Sequence, residues 1–427
     1  MQRAFFLLLL LGVGLPVHSQ VANAARLTLS LDDALRLGVE NSLNLQGRLI
    51  DLSIAEYSAN RLWAEIFPSV NASIGASYGR GLFSAAPGGL NTSASLGISL
   101  TLNAGIPFAM RNIRLAYQVR LLGYEDARNQ LELQITRNFY SLIADRDNLG
   151  VLTDMLQLAQ MQYERDRIAF NHGRIGELSL MHSRLALENA RYILGSARSA
   201  HANRMNDFLV LIGIAHGTET ELEGEIEIAR VELDAERLIG ENLLRRPDIV
   251  SRRQEIERLE NAGRQTLQAN RAPSLRLHAD WNSHSFSPFA DSVRGGATLS
   301  IPIDPWISGT RAGQAIQNTR LAVEQARLEL QNTETVAAAQ IRNLAANLQN
   351  SWYNIEIARM GLSVAERGYE LTELGFRNGT VDSLRLEDSR NNLVAARQRL
   401  LQSELSYLIM ILDISAALNI CWKELMQ

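Results

Sequence analysis

The stretch FNHGRIGELSLMHSRLALENAR (Phe170 to Arg191) returns later in the chain as FRNGTVDSLRLEDSRNNLVAAR (Phe376 to Arg397), aligned without a gap. Phe170 pairs with Phe376, Gly173 with Gly379, Leu178 with Leu384 and Arg191 with Arg397, a displacement of 206 residues (376 minus 170). Upstream of the first copy, Ile135, Leu142, Leu149, Leu156 and Tyr163 recur every seven residues. Ile341, Leu348, Ile355, Leu362 and Tyr369 repeat them at the same displacement. A shared turn and a shared heptad phase together indicate an internal duplication.

An apolar stripe of period seven keeps one face of a helix on its neighbour only if the helices supercoil. The spacing therefore predicts coiled-coil helices over about Phe108 to Phe170 and Gly309 to Phe376. The first would be roughly 95 Å long at about 1.5 Å per residue. The return arms, Leu178 to Ile212 and Asp382 to Leu418, are about half as long. The missing length is expected from the segments Leu31 to Ile66, opened by a cap at Ser30 with Asp32 and Asp33 in the first turn, and Glu236 to Gln268.

Between these helices the pattern changes to a period of two, which predicts strands. Val70, Ala72, Ile74, Ala76 and Tyr78 alternate with Asn71, Ser73, Gly75 and Ser77. Leu96, Ile98, Leu100 and Leu102 alternate with Ser95, Gly97, Ser99 and Thr101, after a connection near Pro87-Gly88-Gly89. The second half offers Leu275, Leu277, Ala279 and Trp281, then Ala297, Leu299, Ile301 and Ile303. Such strands suit a half-buried soluble sheet or a water-filled barrel in lipid. In lipid an open sheet edge is excluded, because unpaired backbone groups cost several kcal/mol each. Four strands cannot close around a lumen alone, since single-chain barrels begin at about eight. Copies of the chain would have to pool their strands.

The 427 residues carry 42 basic and 46 acidic side chains, a net charge of −4 that gives no basic surface for nucleic acid. Met1-Gln2-Arg3 followed by the apolar run Ala4 to Val13 reads as a secretory signal, residues 1–24, with cleavage after Ser19 or Ala24. No cysteine stands there to take a lipid, and Cys421, the only cysteine, excludes an internal disulfide. Past the signal, no run of about twenty apolar residues predicts a transmembrane helix. The histidines lack metal-ligand spacing, no Gly-rich phosphate loop or Ser/His/Asp motif occurs, and neither an enzyme nor a cofactor is expected. Trp281 and Trp306, near strand ends, suit a lipid interface.

In this order LTLSLDDALRLGVENSLNLQ (Leu27 to Gln46), FPSVNASIG, Arg246-Pro247-Asp248, FRNGTVDSL and YLIMILDISAAL (Tyr407 to Leu418) resemble the TolC-type outer-membrane efflux protein family over nearly the whole mature chain. The resemblance implies an α+β membrane protein in the bacterial outer membrane. Three copies would share a transmembrane β-barrel of four strands each, below which a coiled-coil helical barrel crosses the periplasm. A belt of mixed structure is expected over Gly213 to Asp234, strand-like at Glu221 to Ile228.

The same resemblance implies an exit duct of a tripartite efflux or type I secretion system, fed by an inner-membrane pump through a periplasmic adaptor. The division expected is a first repeat, 25–230, with strand pair 68–104, hairpin 108–212 and belt segment 213–230. A second repeat, 231–427, holds strand pair 273–304, hairpin 309–418 and a short tail. The turns would be the far tips, so Phe170, Gly173, Arg174, Leu178, Phe376, Gly379, Val381 and Leu384 are the adaptor-contacting candidates. Family members place acidic rings after the second tip. Those positions fall here on Arg385 and Asp388, with Ser179 and His182 at the equivalent place in the first half, which departs from a double-carboxylate ring. Arg385 and Asp388, spaced i, i+3, would pair within a chain or between neighbours. The competing expectation is a periplasmic coiled-coil adaptor or spacer without a barrel.

Overall fold

The computed structural model describes residues 27–79, 89–215, 217–284, 291–307, 309–420 and 422–425. The signal segment, Pro87, Gly88 and Cys421 lie outside the described residues.

The chain enters as a short strand, β1 (Leu27–Leu29), and turns into α1 (Leu31–Asn41), whose first turn is closed by the Ser30 hydroxyl accepting from Asp33 N at 3.2 Å. A helix expected to continue to Ile66 instead breaks at Ser42. There the hydroxyl recaps the next helix, α2 (Leu43–Ala59), by accepting from Leu45 N at 3.3 Å, and a 3-10 turn follows over Leu62–Ile66. The reason for the break is tertiary. Asn41 donates from Nδ2 to Ile212 O at 3.2 Å, and its Cβ faces Gly213, where an added Cβ would stand 2.2 Å away. Gly213 has φ +77°, so the left-handed turn and the close approach both demand glycine.

The first strand pair, β2 (Ser69–Gly79) and β3 (Gly89–Leu102), leads into the long helix α3 (Ile106–Asn171) of 66 residues, about 99 Å. Its return arm is α4 (Glu177–Leu211). The short strand β4 (Thr220–Leu222) pairs in parallel with β1, Leu29 opposite Leu222. The strand expected to reach Ile228 stops at Leu222 because β1 offers only three residues to pair with.

The second half repeats the order. Helix α5 (Ala235–Asn242) gives way to a 3-10 turn, and α6 (Pro247–Arg271) restarts with Pro247 in its first turn, where no N–H is needed. The continuous helix expected from Glu236 to Gln268 is therefore two. Strands β5 (Ser274–His284) and β6 (Ser292–Ser300) follow, then α7 (Arg311–Arg377), α8 (Ser383–Leu418) and the terminal turn α9 (Trp422–Leu425). Strand β6 begins earlier than the alternation suggests and ends before Ile301, ahead of Pro302, which has no N–H for a ladder.

One antiparallel sheet runs β2-β3-β5-β6, leaving β2 and β6 as open edges among the described residues. Its register aligns Ala72, Leu96, Trp281 and Val293 in one row and Val70, Ile98 and Ala279 in another, all on one face. The opposite face carries Asn71, Asp280 and Arg294 beside Gly97, and Ser73, Ser95 and Asn282 in the next row. Serine hydroxyls pair across that face at 2.8 Å (Ser69 with Ser99) and 2.7 Å (Ser73 with Ser95).

The helices lie side by side in the order α4, α3, α8, α7. All ten predicted heptad residues are buried or half-buried, from Ile135 at 0% to Ile355 at 0% exposure. Two cores sit at equivalent places. One joins Ile135, Phe139, Leu142, Phe208 and Ile212 with Leu29 and Leu222, and the other joins Ile341, Leu348, Ile355, Ile411, Ile414 and Leu418. In the second, the buried Tyr407 hydroxyl donates to Ala229 O at 3.0 Å and accepts from Val231 N at 2.9 Å, fastening the belt segment to α8. Helix α8 is long and apolar enough to cross a membrane by length and composition, a span the sequence reading did not expect. Leu408, Ile411, Leu412, Ile414 and Leu418 are nevertheless buried inside the helical layer.

Candidate functional site

Both long helices end on the same device. At the first, Gly173 takes φ +67°, its N–H donates to Phe170 O at 2.8 Å, and Arg174 N donates to Ala169 O at 2.9 Å. At the second, Gly379 takes φ +74°, its N–H donates to Phe376 O at 3.0 Å, and Thr380 N donates to Gly375 O at 2.9 Å. This is the Schellman pattern, which satisfies the last carbonyls and needs a left-handed residue after the helix. Asp382 then caps α8 by accepting from Arg385 N at 2.9 Å, whereas Gly176 caps α4 without a side-chain bond.

Of the tip residues named from the sequence, Arg174, Leu178 and Leu384 are exposed, and Phe170 stands at the border of exposure. Phe376 and Val381 are half-buried, Val381 folding over Gly375. Arg385 and Asp388 project from α8 into solvent, and neither side chain holds an ion pair within the described chain. The intrachain pair is thus not formed. Ser179 is half-buried and His182 exposed on α4.

His182 leads to residues the sequence reading did not single out as a site. It lines a cavity of about 260 Å³ between the two hairpins, together with Gln162 and Asp166 of α3, Tyr369 of α7 and Arg390 of α8. Asp166 and Arg390 are 3% and 5% exposed. Asp166 accepts from Gln162 Nε2 at 2.9 Å through one oxygen; among the described residues its Oδ2 and the Arg390 Nε have no hydrogen-bond partner. Burial pushes the Asp166 carboxyl up from its ordinary 3.8, against the lowering influence of Gln162, Ser183 and Arg165. Burial pulls the Arg390 guanidinium down, against Glu387 and Tyr369. The sequence did hold a signal. Leu152, Ala159 and Asp166 form the second stripe of the α3 heptad, all buried, and a carboxylate at the end of an apolar stripe is out of place.

A carboxyl whose pKa is higher folded than unfolded binds its proton more readily in the folded chain. Stability from this group therefore grows as pH falls from the raised value toward 3.8, and the ionised form costs stability at neutral pH. Asp166→Asn is expected to stabilise the protein by about 1–3 kcal/mol at neutral pH, with the gain shrinking on acidification. Melting curves of parent and variant across the acidic range check this; a variant less stable at neutral pH, or a pH-independent difference, contradicts it.

Above the cavity, α3 and α8 are joined by polar pairs: Arg137 with Asp413, Gln398 Nε2 donating to Asn148 Oδ1 at 2.9 Å, and Arg397 3.9 Å from Asp154. The outer helices carry what the inner ones hide. On α4, Leu178, Leu185 and Tyr192 recur every seven residues at 69%, 59% and 77% exposure; on α7, Ile357, Val364 and Leu371 do so at 53%, 73% and 54%.

Residues 238–419, covering α5's second half through α8, match the family model of the outer membrane efflux protein. Over these residues the chain is similar to the outer membrane efflux protein family. Among relatives, the toluene efflux pump outer membrane protein TtgC and the antibiotic efflux pump outer membrane protein ArpC, both of Pseudomonas putida, are each 24% identical over 92% of this chain and 84% of their own. The Campylobacter jejuni CmeC outer membrane channel superposes with a TM-score of 0.77 at 18% identity, covering 91% of this chain and 85% of that one. The Vibrio cholerae outer membrane protein VceC gives 0.72 at 16%, covering 91% and 96%. The fold of this chain, long helical hairpins under one four-stranded sheet, is that of these outer membrane proteins.

Proposed function

We propose that the chain is one protomer of a trimeric outer-membrane exit duct, which conducts solutes delivered by an inner-membrane pump through a periplasmic adaptor, and that it catalyses no reaction. The observation that carries this reading is the sheet with one apolar face, one polar face and two open edges. An apolar face suits lipid, a polar face suits a wet lumen, and open edges in lipid must be closed by something. Two copies would give about eight strands, whose interior side chains fill; three are the smallest number that leaves a channel. The helical layer supports the same closure, since α4 and α7 are edges with exposed apolar stripes of period seven. Twelve helices supercoiled on that period would continue the lumen below the membrane. The two repeats, 25–230 and 231–427, explain why one chain contributes two similar sectors.

The tips, with Phe170, Gly173, Arg174, Leu178, Phe376, Gly379, Val381 and Leu384, are the surface for the adaptor. Arg385 and Asp388, with Ser179 and His182, form the mouth. With its guanidinium and carboxylate free within the chain, a mixed-charge ring between neighbours is the arrangement left for Arg385 and Asp388. In single-channel recordings Asp388→Ala is expected to shift ion selectivity away from cations; unchanged conductance, selectivity and blocking remove Asp388 from the gate.

The duct itself is tested by extracting membranes with detergent and running the extract with and without boiling. An oligomer that heat converts to the monomer is the expected result. A monomer soluble without detergent fits the spacer reading instead and ends this one.

A further inference from the structure

The cavity between the hairpins has a feature that a duct does not require. Asp166 and Arg390 carry opposite charges, line the same space of about 260 Å³ from α3 and α8, and are each at least nine-tenths buried without an ion pair among the described residues. Burying a charge without a partner costs several kcal/mol, a cost that a ligand supplying the missing partners would offset. The duplication supplies an internal comparison. At the positions equivalent to Asp166 and Arg390 stand Thr372 and Arg184. Thr372 turns its hydroxyl onto Gly368 O at 2.7 Å, and Arg184 is exposed. The second-stripe position therefore packs with a neutral residue when nothing else is asked of it. Elsewhere in the cavity wall, Glu373 and Arg377 already neutralise each other at 2.6 Å.

We propose that this cavity binds a small zwitterion with an apolar tail, an α-amino acid, whose ammonium meets Asp166 and whose carboxylate meets Arg390. A cation alone would leave Arg390 unpaired, and an anion alone would leave Asp166 unpaired; a zwitterion answers both. The tail has a matching wall in Leu158, Ala159, Ala186 and Leu386. An engineered cavity of about 150 Å³ holds benzene, so the volume admits an amino acid of leucine's size.

The test is titration calorimetry on the detergent-purified full chain, with L-leucine as the probe and its two halves as comparators: isovalerate, which lacks the ammonium, and isopentylamine, which lacks the carboxylate. Leucine is expected to bind, and each half to bind about tenfold more weakly or worse, the loss of one charge-assisted contact. Asp166→Thr, which places the other repeat's residue in the site, and Arg390→Gln should each weaken leucine binding by about tenfold, with the helical circular dichroism unchanged. No leucine heat, equal binding of either half, or binding indifferent to both substitutions overturns the proposal. The calorimetry on the parent chain stands even if a variant fails to fold.

Discussion

Cysteines placed at Tyr192 and Asn354 in one chain, with Cys421 replaced by serine, are expected to cross-link neighbouring copies into a covalent trimer under mild oxidation. The register follows from the duplication. Within the chain, α3 packs on α8 with Asn148 touching Gln398 and Arg137 touching Asp413. Shifting α3 forward by one repeat and α8 back by one replaces these pairs with Asn354 against Tyr192 and Asn343 against Asp207, now on α7 and α4. Those two helices are the uncovered edges of the layer. If each seam between copies repeats the seam within a copy, α4 of one protomer lies antiparallel to α7 of the next. The exposed stripes then meet, Leu185 opposite Val364 and Leu178 opposite Leu371. Covering an exposed leucine or isoleucine face yields about 1.5–3 kcal/mol per side chain, so three such pairs per seam make a substantial interface. A partner for Tyr192→Cys moved to Glu366 lies about 18 Å further along the helix and should give almost no trimer. Monomers from the first pair, or equal yields from both, would place the copies in some other arrangement and remove the repeat argument with it.

Phe139→Ala is expected to cost about 3–5 kcal/mol and to prevent assembly of stable protein at growth temperature. Phe139 is 1% exposed and stands where four segments converge. Its ring lies 6.3 Å from Phe208 of α4 and edge-on to Tyr140 at 5.7 Å. Gly224 of the belt approaches so closely that a Cβ there would touch the Phe139 ring at 3.4 Å. Tyr140 in turn meets Trp422 of the terminal turn edge-on at 6.0 Å. Truncating Phe139 therefore opens a cavity where β1, α1, the hairpin and the belt are held together, and no single neighbour is free to collapse into it. Thermal melting of the solubilised protein and its abundance in the membrane fraction measure the loss. A variant within about 1 kcal/mol of the parent would mean that the belt is not fastened here.

Much of this architecture is legible in residues alone. The heptads from Ile135 and Ile341 announce the long helices, and Gly173 and Gly379 announce their ends. The alternation at Val70 and Leu96 announces strands. What the sequence missed shares one cause. The break at Ser42 has no proline or glycine to signal it and depends on Asn41 meeting Ile212 and Gly213, residues about 170 positions away. Strand β4 stops where its partner β1 stops, which alternation at Glu221 to Ile228 cannot reveal. Arg385 and Asp388, proposed for the mouth, follow from resemblance, while Asp166 and Arg390 are not legible in the sequence because a charge in a heptad looks like any other until its burial is known.

By itself the sequence determined the repeat, the period of each segment and therefore which faces are apolar, because side-chain direction along a helix or strand is fixed by local backbone geometry. Only the tertiary structure decided which faces find a partner. It buried the stripes of Ile135 on α3 and Ile341 on α7 and exposed those of Leu178 on α4 and Ile357 on α7, since burial depends on what approaches from distant parts of the chain, and among the described residues it left the sheet with two unpaired edges.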